Sequence, residues 1–190
     1  MMLDLDDLDG YFEENFTRTA FRLETLDQYE VASDGNDFGR YLAGAPEPDP
    51  ERKQSWLDVL RAEVERGAYR HRVHILQSPL GDYLRYECEW GYAPNAKAGE
   101  DIRILDTAER SAPEGLPDHD FWLFDDKAVL RMHYDADGQF VGGEPLPDEA
   151  APQYRAARDA AWEAAVSFDD YWTGHRQYWR DGGVGQEGNG

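Results

Sequence analysis

A chain of 190 residues with 41% hydrophobic and 13% aromatic side chains is long and apolar enough to bury a core, which excludes a wholly disordered chain. Its formal net charge of -21, from 40 Asp and Glu against 19 Lys and Arg, weighs against DNA, RNA or anionic membranes as direct partners and favours a basic protein partner, cations and solubility. One cysteine, Cys88, leaves no internal disulfide and no cysteine-based zinc site, and the acidic start M-M-L-D-L-D-D-L-D is no signal peptide. No apolar run approaches the ~18 residues of a membrane span, so a cytoplasmic location is expected.

Residues 3–16 carry Leu5, Leu8, Phe12 and Phe16 at helical spacing among acids, predicting a helix that caps the core or docks on a basic partner. Thr19 to Val31 opens with the alternating F-R-L-E-T-L, a candidate edge strand. A turn follows around Asp34-Gly35-Asn36, then a short helix over Asp37 to Leu42. A-P-E-P-D-P (45–50) is a stiff connector. Ser55 to Glu65 is a helix with Trp56, Leu57, Leu60 and Val64 on one face and Gly67 as its stop.

Tyr69 to Leu76 is a strand whose alternation puts Arg70, Arg72 and His74 on one face. With Arg61 and Arg66 nearby it is the one concentrated basic patch, and it reads either as neutralising carboxylates within the fold or as an anion pocket. Ser78-Pro79 has the form of a helix start, with Leu80, Tyr83, Leu84 and Cys88 as its apolar stripe. Glu87 falls within that stripe, so it is expected to be buried against a partner such as an arginine of the basic strand. The helix should fray near Pro94 and close at Gly99, before a strand over Ile102 to Leu105.

Phe121 to Phe124 is apolar on both faces, as in a covered strand. Asp125-Asp126-Lys127 is a turn, Ala128 to Tyr134 a strand, and Asp137-Gly138 a hairpin signal into Gln139 to Val141. A three-stranded meander with an acidic rim results. Pro147 to Val166 is a helix with a small-residue stripe of Tyr154, Ala157, Ala161 and Ala165; Ser167 caps a short aromatic helix; and the glycine-rich tail is expected to be disordered.

The sequence thus predicts an α/β fold: a mixed sheet with a C-terminal β-meander and helices packed on it. An N-terminal helical or irregular extension spans 1–50, a single α/β domain 51–180 and the tail 181–190. Candidate partner- or ligand-binding residues are Asp118, His119, Asp120, Asp125, Asp126, Arg131 and His133 on the meander, with Arg70, Arg72 and His74 on the basic strand. Asp118-His119-Asp120 and His133-Tyr134-Asp135 hold metal-ligand residue types, yet no metal-binding spacing such as H-x-x-x-H occurs. No serine has a nucleophile-elbow context and no G-x-G-x-x-G or P-loop is present, so no catalytic residue, metal or cofactor is assigned.

His119, Phe121 and Asp126 occupy positions 1, 3 and 8 of a window in which the phospholipase-D-like superfamily has H-x-K-x-x-x-x-D, and G-E-D-I-R-I-L (99–105) precedes it. Residues 69–166 therefore resemble a degenerate half of that fold, and its topology is a possible outcome. The resemblance implies a histidine nucleophile beside a phosphate-binding lysine. With Phe121 in the lysine position it argues against activity. The whole chain also resembles an uncharacterised actinobacterial family, a domain of unknown function, through F-R-L-E-T-L (21–26), Y-L-A-G-A-P (41–46), P-L-G-D-Y-L-R-Y-E (79–87), A-G-E-D-I-R-I-L (98–105), D-F-W-L-F-D-D (120–126) and M-H-Y-D (132–135). Its members are often encoded beside helix-turn-helix regulators of the Xre type. That resemblance implies a regulatory accessory role and no established activity; together with the negative charge it leads to the expectation of a non-enzymatic partner of a basic DNA-binding regulator, and the alternative is a small-molecule-binding protein or phosphodiester-type hydrolase using His119, Asp126 and His133.

Overall fold

A computed structural model describes residues 1–30 and 35–180. Its centre is a seven-stranded mixed sheet in the order β6-β5-β4-β1-β2-β3-β7. β1 (Thr19–Glu24), β2 (Tyr69–Leu76) and β3 (Asp101–Asp106) run parallel; β4 (Phe121–Phe124), β5 (Ala128–Tyr134) and β6 (Phe140–Pro145) form the expected antiparallel meander beside β1; and the two-residue β7 (Val166–Ser167) closes the other edge. The α/β architecture is as the sequence predicts. The edge position expected for Thr19–Glu24 is not: β1 is the middle strand, so the sheet draws on both sides of residue 50. Nor does the strand continue toward Val31: it ends at Glu24, and residues 25–30 add only an isolated bridge of Glu30 to Gln139; Val31, the Asp34 part of the turn and the tail from 181 lie outside the described residues.

Strand alternation gives the sheet two different faces. On one, Phe21, Leu23, Val73, Leu105, Phe121, Leu123 and Val129 are buried under α6 (Ala151–Ala164), whose Tyr154, Ala157 and Ala161 form the expected close-packing stripe. On the other, α1 (Leu5–Asn15) covers the meander half, while α4 (Asp82–Tyr86), α5 (Ala93–Ala98) and α7 (Phe168–Gly174) cover the β3 half. Between them, α2 (Asp37–Leu42) and α3 (Pro50–Glu65) stand beside an opening over β1 and β2.

Local chemistry fixes the element ends. Asp4 caps α1 by accepting from Asp6 N and Asp7 N, while Asp7 accepts from Asp4 N in return. Leu8, Tyr11, Phe12 and Phe16 face the sheet; Leu5, expected among them, is exposed, and Leu3 instead pairs with Gly143 of β6. α3 starts at Pro50, five residues before the expected Ser55, because Asp49 caps it through Arg52 N with Pro50 in the first turn. Its buried stripe includes Glu63 and leaves Val64 exposed, since Glu63 holds Arg70 in a two-pronged ion pair of 2.6 and 2.8 Å.

Ser78-Pro79 does not start a helix. Ser78 N is tied to Asp106 Oδ1 at the end of β3, and α4 begins at Asp82. Nor does the chain fray at Pro94, which sits in the first turn of α5; Gly99, at φ +116, ends that helix as expected. Asp125 (φ 49) and Asp126 (φ 61) form the β4–β5 turn, closed by Lys127 N to Phe124 O at 2.9 Å. At the β5–β6 turn Gly138 has φ +82, and a Cβ there would come within 2.5 Å of Gln28 O, so only glycine fits.

β4 is apolar on both faces and is covered on both, by α6 beneath Phe121 and Leu123 and by α1 above Trp122 and Phe124. Phe12 meets Trp122 and Phe124 edge-on at 4.9 and 4.7 Å between ring centroids. Phe124→Ala is expected to destabilise the protein by roughly 3–5 kcal/mol in denaturant unfolding. An unchanged midpoint would show that α1 does not cover this strand.

Candidate functional site

The register puts Arg22 opposite Arg72 and Glu24 opposite His74, all on the face away from α6. Four ionisable groups thus occupy the middle of the sheet, and burial of that kind requires a partner for each. Arg22 Nη2 donates to Asp120 Oδ2 (2.7 Å) and Tyr134 Oη (2.8 Å), with Glu24 Oε1 at 3.7 Å from its Nε. Asp120 is further held by Tyr29 Oη and by the backbone N and Oγ1 of Thr25. Arg72 donates from Nη1 to both oxygens of Glu24 and from Nε to Glu100 Oε1 (2.7 Å), whose other oxygen accepts from Asn95 Nδ2.

His74 is fully buried. Its Nε2 lies 2.8 Å from Leu26 O, which only accepts, so Nε2 carries a proton. Its Nδ1 lies 2.7 Å from Tyr92 Oη, whose own proton goes to Glu24 Oε2 at 2.7 Å, so Nδ1 carries one as well. The ring is therefore an imidazolium. Burial works against that charge, but Glu87 and Glu24 outweigh it and raise the His74 pKa to about 9. Burial likewise opposes the charge of Glu24, which Arg72, His74 and Arg22 hold down at about 2. Burial pushes the carboxyl of Glu87 up, against the pull of His74.

Above this charged floor is a cavity of about 420 Å³. Tyr29, Trp56, Tyr83, Tyr86, Trp90, Tyr92, Trp122 and Tyr134 supply aromatic walls, and Arg52 and Lys53 of α3 stand at its side. One wall is a π-helical turn, Glu87–Tyr92, between α4 and α5; widened turns of this kind recur at functional sites. Lys53 ties it to α3 through Gly91 O and Asn95 Oδ1. Arg180 braces it from outside, bonding Glu89 Oε1 and Ala45 O and lying 4.1 Å over the ring of Tyr41 and 5.0 Å over that of Trp90.

Two side-chain atoms of the lining are buried without a hydrogen-bond partner among the described residues: Arg22 Nη1, a donor, and Glu87 Oε2, an acceptor. Cys88, in the same turn, is buried and faces the helical core; burial and Glu87 push its thiol well up, so it is inert.

The profile of a family described as "Domain of unknown function (DUF6879)" matches residues 6–173. The chain belongs to that family. The matched span takes in every residue that lines the cavity, while Arg180 lies beyond it. No curated protein matches the chain at a significant level.

The candidate residues named from the sequence fall into separate places. Arg72 and His74 are in the cavity floor or directly beneath it. Arg70 points to the same face but is a structural group, buried on Glu63 among the rings of Phe16, Trp56 and Trp122. Glu87 is partly buried where full burial was expected, and its neighbour is His74, 3.3 Å away, and not an arginine. The acidic rim is not one surface. Asp118 is exposed; Asp120 is buried under Arg22; Asp125 accepts from the backbone N of Thr17, Arg18 and Thr19; Asp126 pairs with Arg158 of α6. His119 bonds Tyr154 Oη (2.9 Å) and Asp118, and His133 bonds Glu144 (2.9 Å), with Arg131 partly buried on the α6 face between them and burial lowering the His119 pKa. His119 and Asp126 stand at opposite ends of β4, and Phe121 between them is fully buried against Phe21 and Tyr154, so the phospholipase-D-like window does not assemble into one site.

Arg22, Glu24, Glu87 and the aromatic walls are absent from the sequence-derived candidates. The available signal was two charges alternating with core residues in F-R-L-E, matched by R-H-R-V-H on the basic strand. Glu24, His74 and Glu87 also bring ligand-type atoms within 4.8 Å of one another, as do Asp106, Glu109 and His175. In the first set Arg72 and Tyr92 engage Glu24 and both ring nitrogens of His74 carry protons, which leaves Glu87 Oε2 alone without a hydrogen bond among the described residues. In the second, Asp106 accepts from Ser78 N, Ala108 N and Tyr171 Oη, and His175 bonds Glu109.

Two histidines set opposite slopes of stability with pH. His74, raised to about 9 from 6.5, contributes stability that is complete below pH 6.5 and lost as pH rises through 9. His71, on the α6 face with Nδ1 unpartnered, is lowered to about 4 by burial and Arg158; its contribution is complete above pH 6.5 and lost as pH falls through 4. The denaturation midpoint is expected to peak near neutrality. His74→Gln should flatten the alkaline flank alone, and His71→Phe the flank from pH 6.5 to 4. An alkaline slope unchanged by His74→Gln would show that His74 is not an imidazolium in the folded state.

Proposed function

We propose that this is a non-enzymatic, small-molecule-binding regulatory protein of the cytoplasm, with its ligand in the cavity over β1 and β2. The observation that carries this is Arg22 Nη1, a charged donor in a buried side chain that lines the cavity without a partner. Such an orphan costs about 1–3 kcal/mol, recovered when a ligand acceptor fills the space. The cavity has the size and mainly apolar lining of a small-molecule site. The ionisable groups around it support binding over turnover: both nitrogens of His74 are engaged, and burial pushes the hydroxyls of Tyr29 and Tyr92 well up. No helix among the described residues is long and apolar enough to cross a membrane.

The test is a thermal-shift screen of small aromatic and aliphatic acids, amines and amino acids, repeated on Gly91→Leu. Gly91 lines the cavity, and a Cβ there would meet Glu87 Cγ at an ordinary 3.5 Å, so this variant should fold and fill the space. A true ligand at 100 times its Kd adds about 2.7 kcal/mol of stability, and Gly91→Leu should abolish the gain. Hits that bind Gly91→Leu equally well, or no hits at all, would overturn the assignment.

A second reading concerns a basic partner, such as a DNA-binding regulator. Docking of α1 through Leu8, Tyr11 and Phe12 turns Asp4, Asp6, Asp7, Asp9, Glu13 and Glu14 outward as one acidic strip. The meander acids contribute less, since Asp120 is buried. Association with such a regulator should slow as salt rises and when the strip is neutralised to Asn and Gln. A rate indifferent to both would remove the electrostatic contact.

A further inference from the structure

We infer that the cavity takes a zwitterion: a free amino acid with an aromatic or branched apolar side chain, its carboxylate on Arg22 and its ammonium on Glu87. The inference rests on the ligand-binding reading and names the chemical class of the ligand.

The two atoms of the lining that make no hydrogen bond among the described residues are opposite in kind, and Glu87 Oε2 has only the charge of His74 Nδ1, 3.3 Å away, beside it. Arg22 Nη1 is a cationic donor whose neighbouring Nη2 is already committed to Asp120 and Tyr134. Glu87 Oε2 is an acceptor; His74 Nδ1 lies 3.3 Å away but directs its proton to Tyr92. The remaining buried orphans, His71 Nδ1, Arg103 Nε and Arg131 Nε, are on strand positions of the α6 face and outside the cavity.

A simple carboxylate would satisfy Arg22 and leave Glu87 facing a second anion. A simple amine would satisfy Glu87 and leave Arg22 without an acceptor. A molecule carrying both groups satisfies both atoms and adds no net charge to the floor, which a buried set of charges favours. Each charge-assisted hydrogen bond is strong where water is excluded. The walls favour an apolar remainder: Tyr86 and Trp90 meet at 6.0 Å between centroids, and Tyr83 and Tyr86 at 5.7 Å, so rings converge on the space. The volume of about 420 Å³ accommodates a side chain of indole size.

The probes are L-tryptophan, L-phenylalanine and L-leucine, with 3-phenylpropionate (no ammonium) and phenethylamine (no carboxylate) as matched controls, titrated calorimetrically into the full chain. At least one amino acid should bind at least ~10-fold tighter than either control, the value of one charged hydrogen bond. Glu87→Gln, which preserves shape, is the informative variant, because replacing Arg22 would also strand Asp120. It should weaken amino-acid binding and, by removing the facing anion, leave 3-phenylpropionate bound at least as tightly as before, so that the difference between them is lost. Either control binding as tightly as the amino acids, or Glu87→Gln leaving amino-acid binding unchanged, overturns the zwitterion. If no amino acid binds while another compound does so in a manner blocked by Gly91→Leu, the zwitterion fails and the cavity remains a ligand site. If nothing binds, both assignments fail.

Discussion

The structure depends on keeping charge balanced in the middle of its sheet. Arg22, Glu24, Arg72 and His74 sit where most sheets place aliphatic side chains, and an unpaired charge there would cost several kcal/mol. Each connection near them therefore delivers a partner. The segment before β4 brings Asp120, the residue before β3 brings Glu100, and the π-helical turn brings Glu87 and Tyr92. Exchange of one of these groups for an apolar residue leaves the opposite member stranded, so the network constrains sequence positions far apart in the chain.

The two faces divide the work between them. Under α6, large aliphatic and aromatic side chains meet small helical ones, and the helix approaches closely. Across the sheet, three apolar clusters hold α1, the α4–α5–α7 group and the tyrosines around Tyr86. None of these covers the charged centre completely, and the cavity is the space they leave. Its walls are well supported: rings touch rings, and Lys53 and Arg180 fix the π-helical turn from two sides. A rigid, partly polar hollow of this type loses little freedom when it is filled.

Much of the fold was legible in the sequence where local chemistry decides. The meander followed from an apolar run, a two-aspartate turn and Asp137-Gly138; the α6 stripe and the Ser167 cap followed from spacing. The rank of β1 in the sheet was not legible, because strand order is set by long-range pairing, and F-R-L-E-T-L has the alternation of a half-exposed edge. Its charges are instead buried against partners 48 to 112 residues away. The candidate site was legible in part. Alternation placed Arg70, Arg72 and His74 on one face correctly, but nothing local distinguishes Arg70, neutralised by α3, from Arg72 beside the cavity. The acidic rim misled for a converse reason: Asp118 to Asp126 are neighbours in sequence, and a strand and a turn carry them to different surroundings.

The brace formed by Arg180 has a consequence for where the working unit ends. The span shared with the family stops at residue 173, inside α7, yet the outer support of Tyr41, Glu89 and Trp90 comes from beyond it. A fragment cut at the family boundary would keep every strand and every lining residue and still lack the clasp on one wall. The boundary of resemblance is thus narrower than the boundary of mechanical integrity: the last described residue acts on a wall built from the first half of the chain.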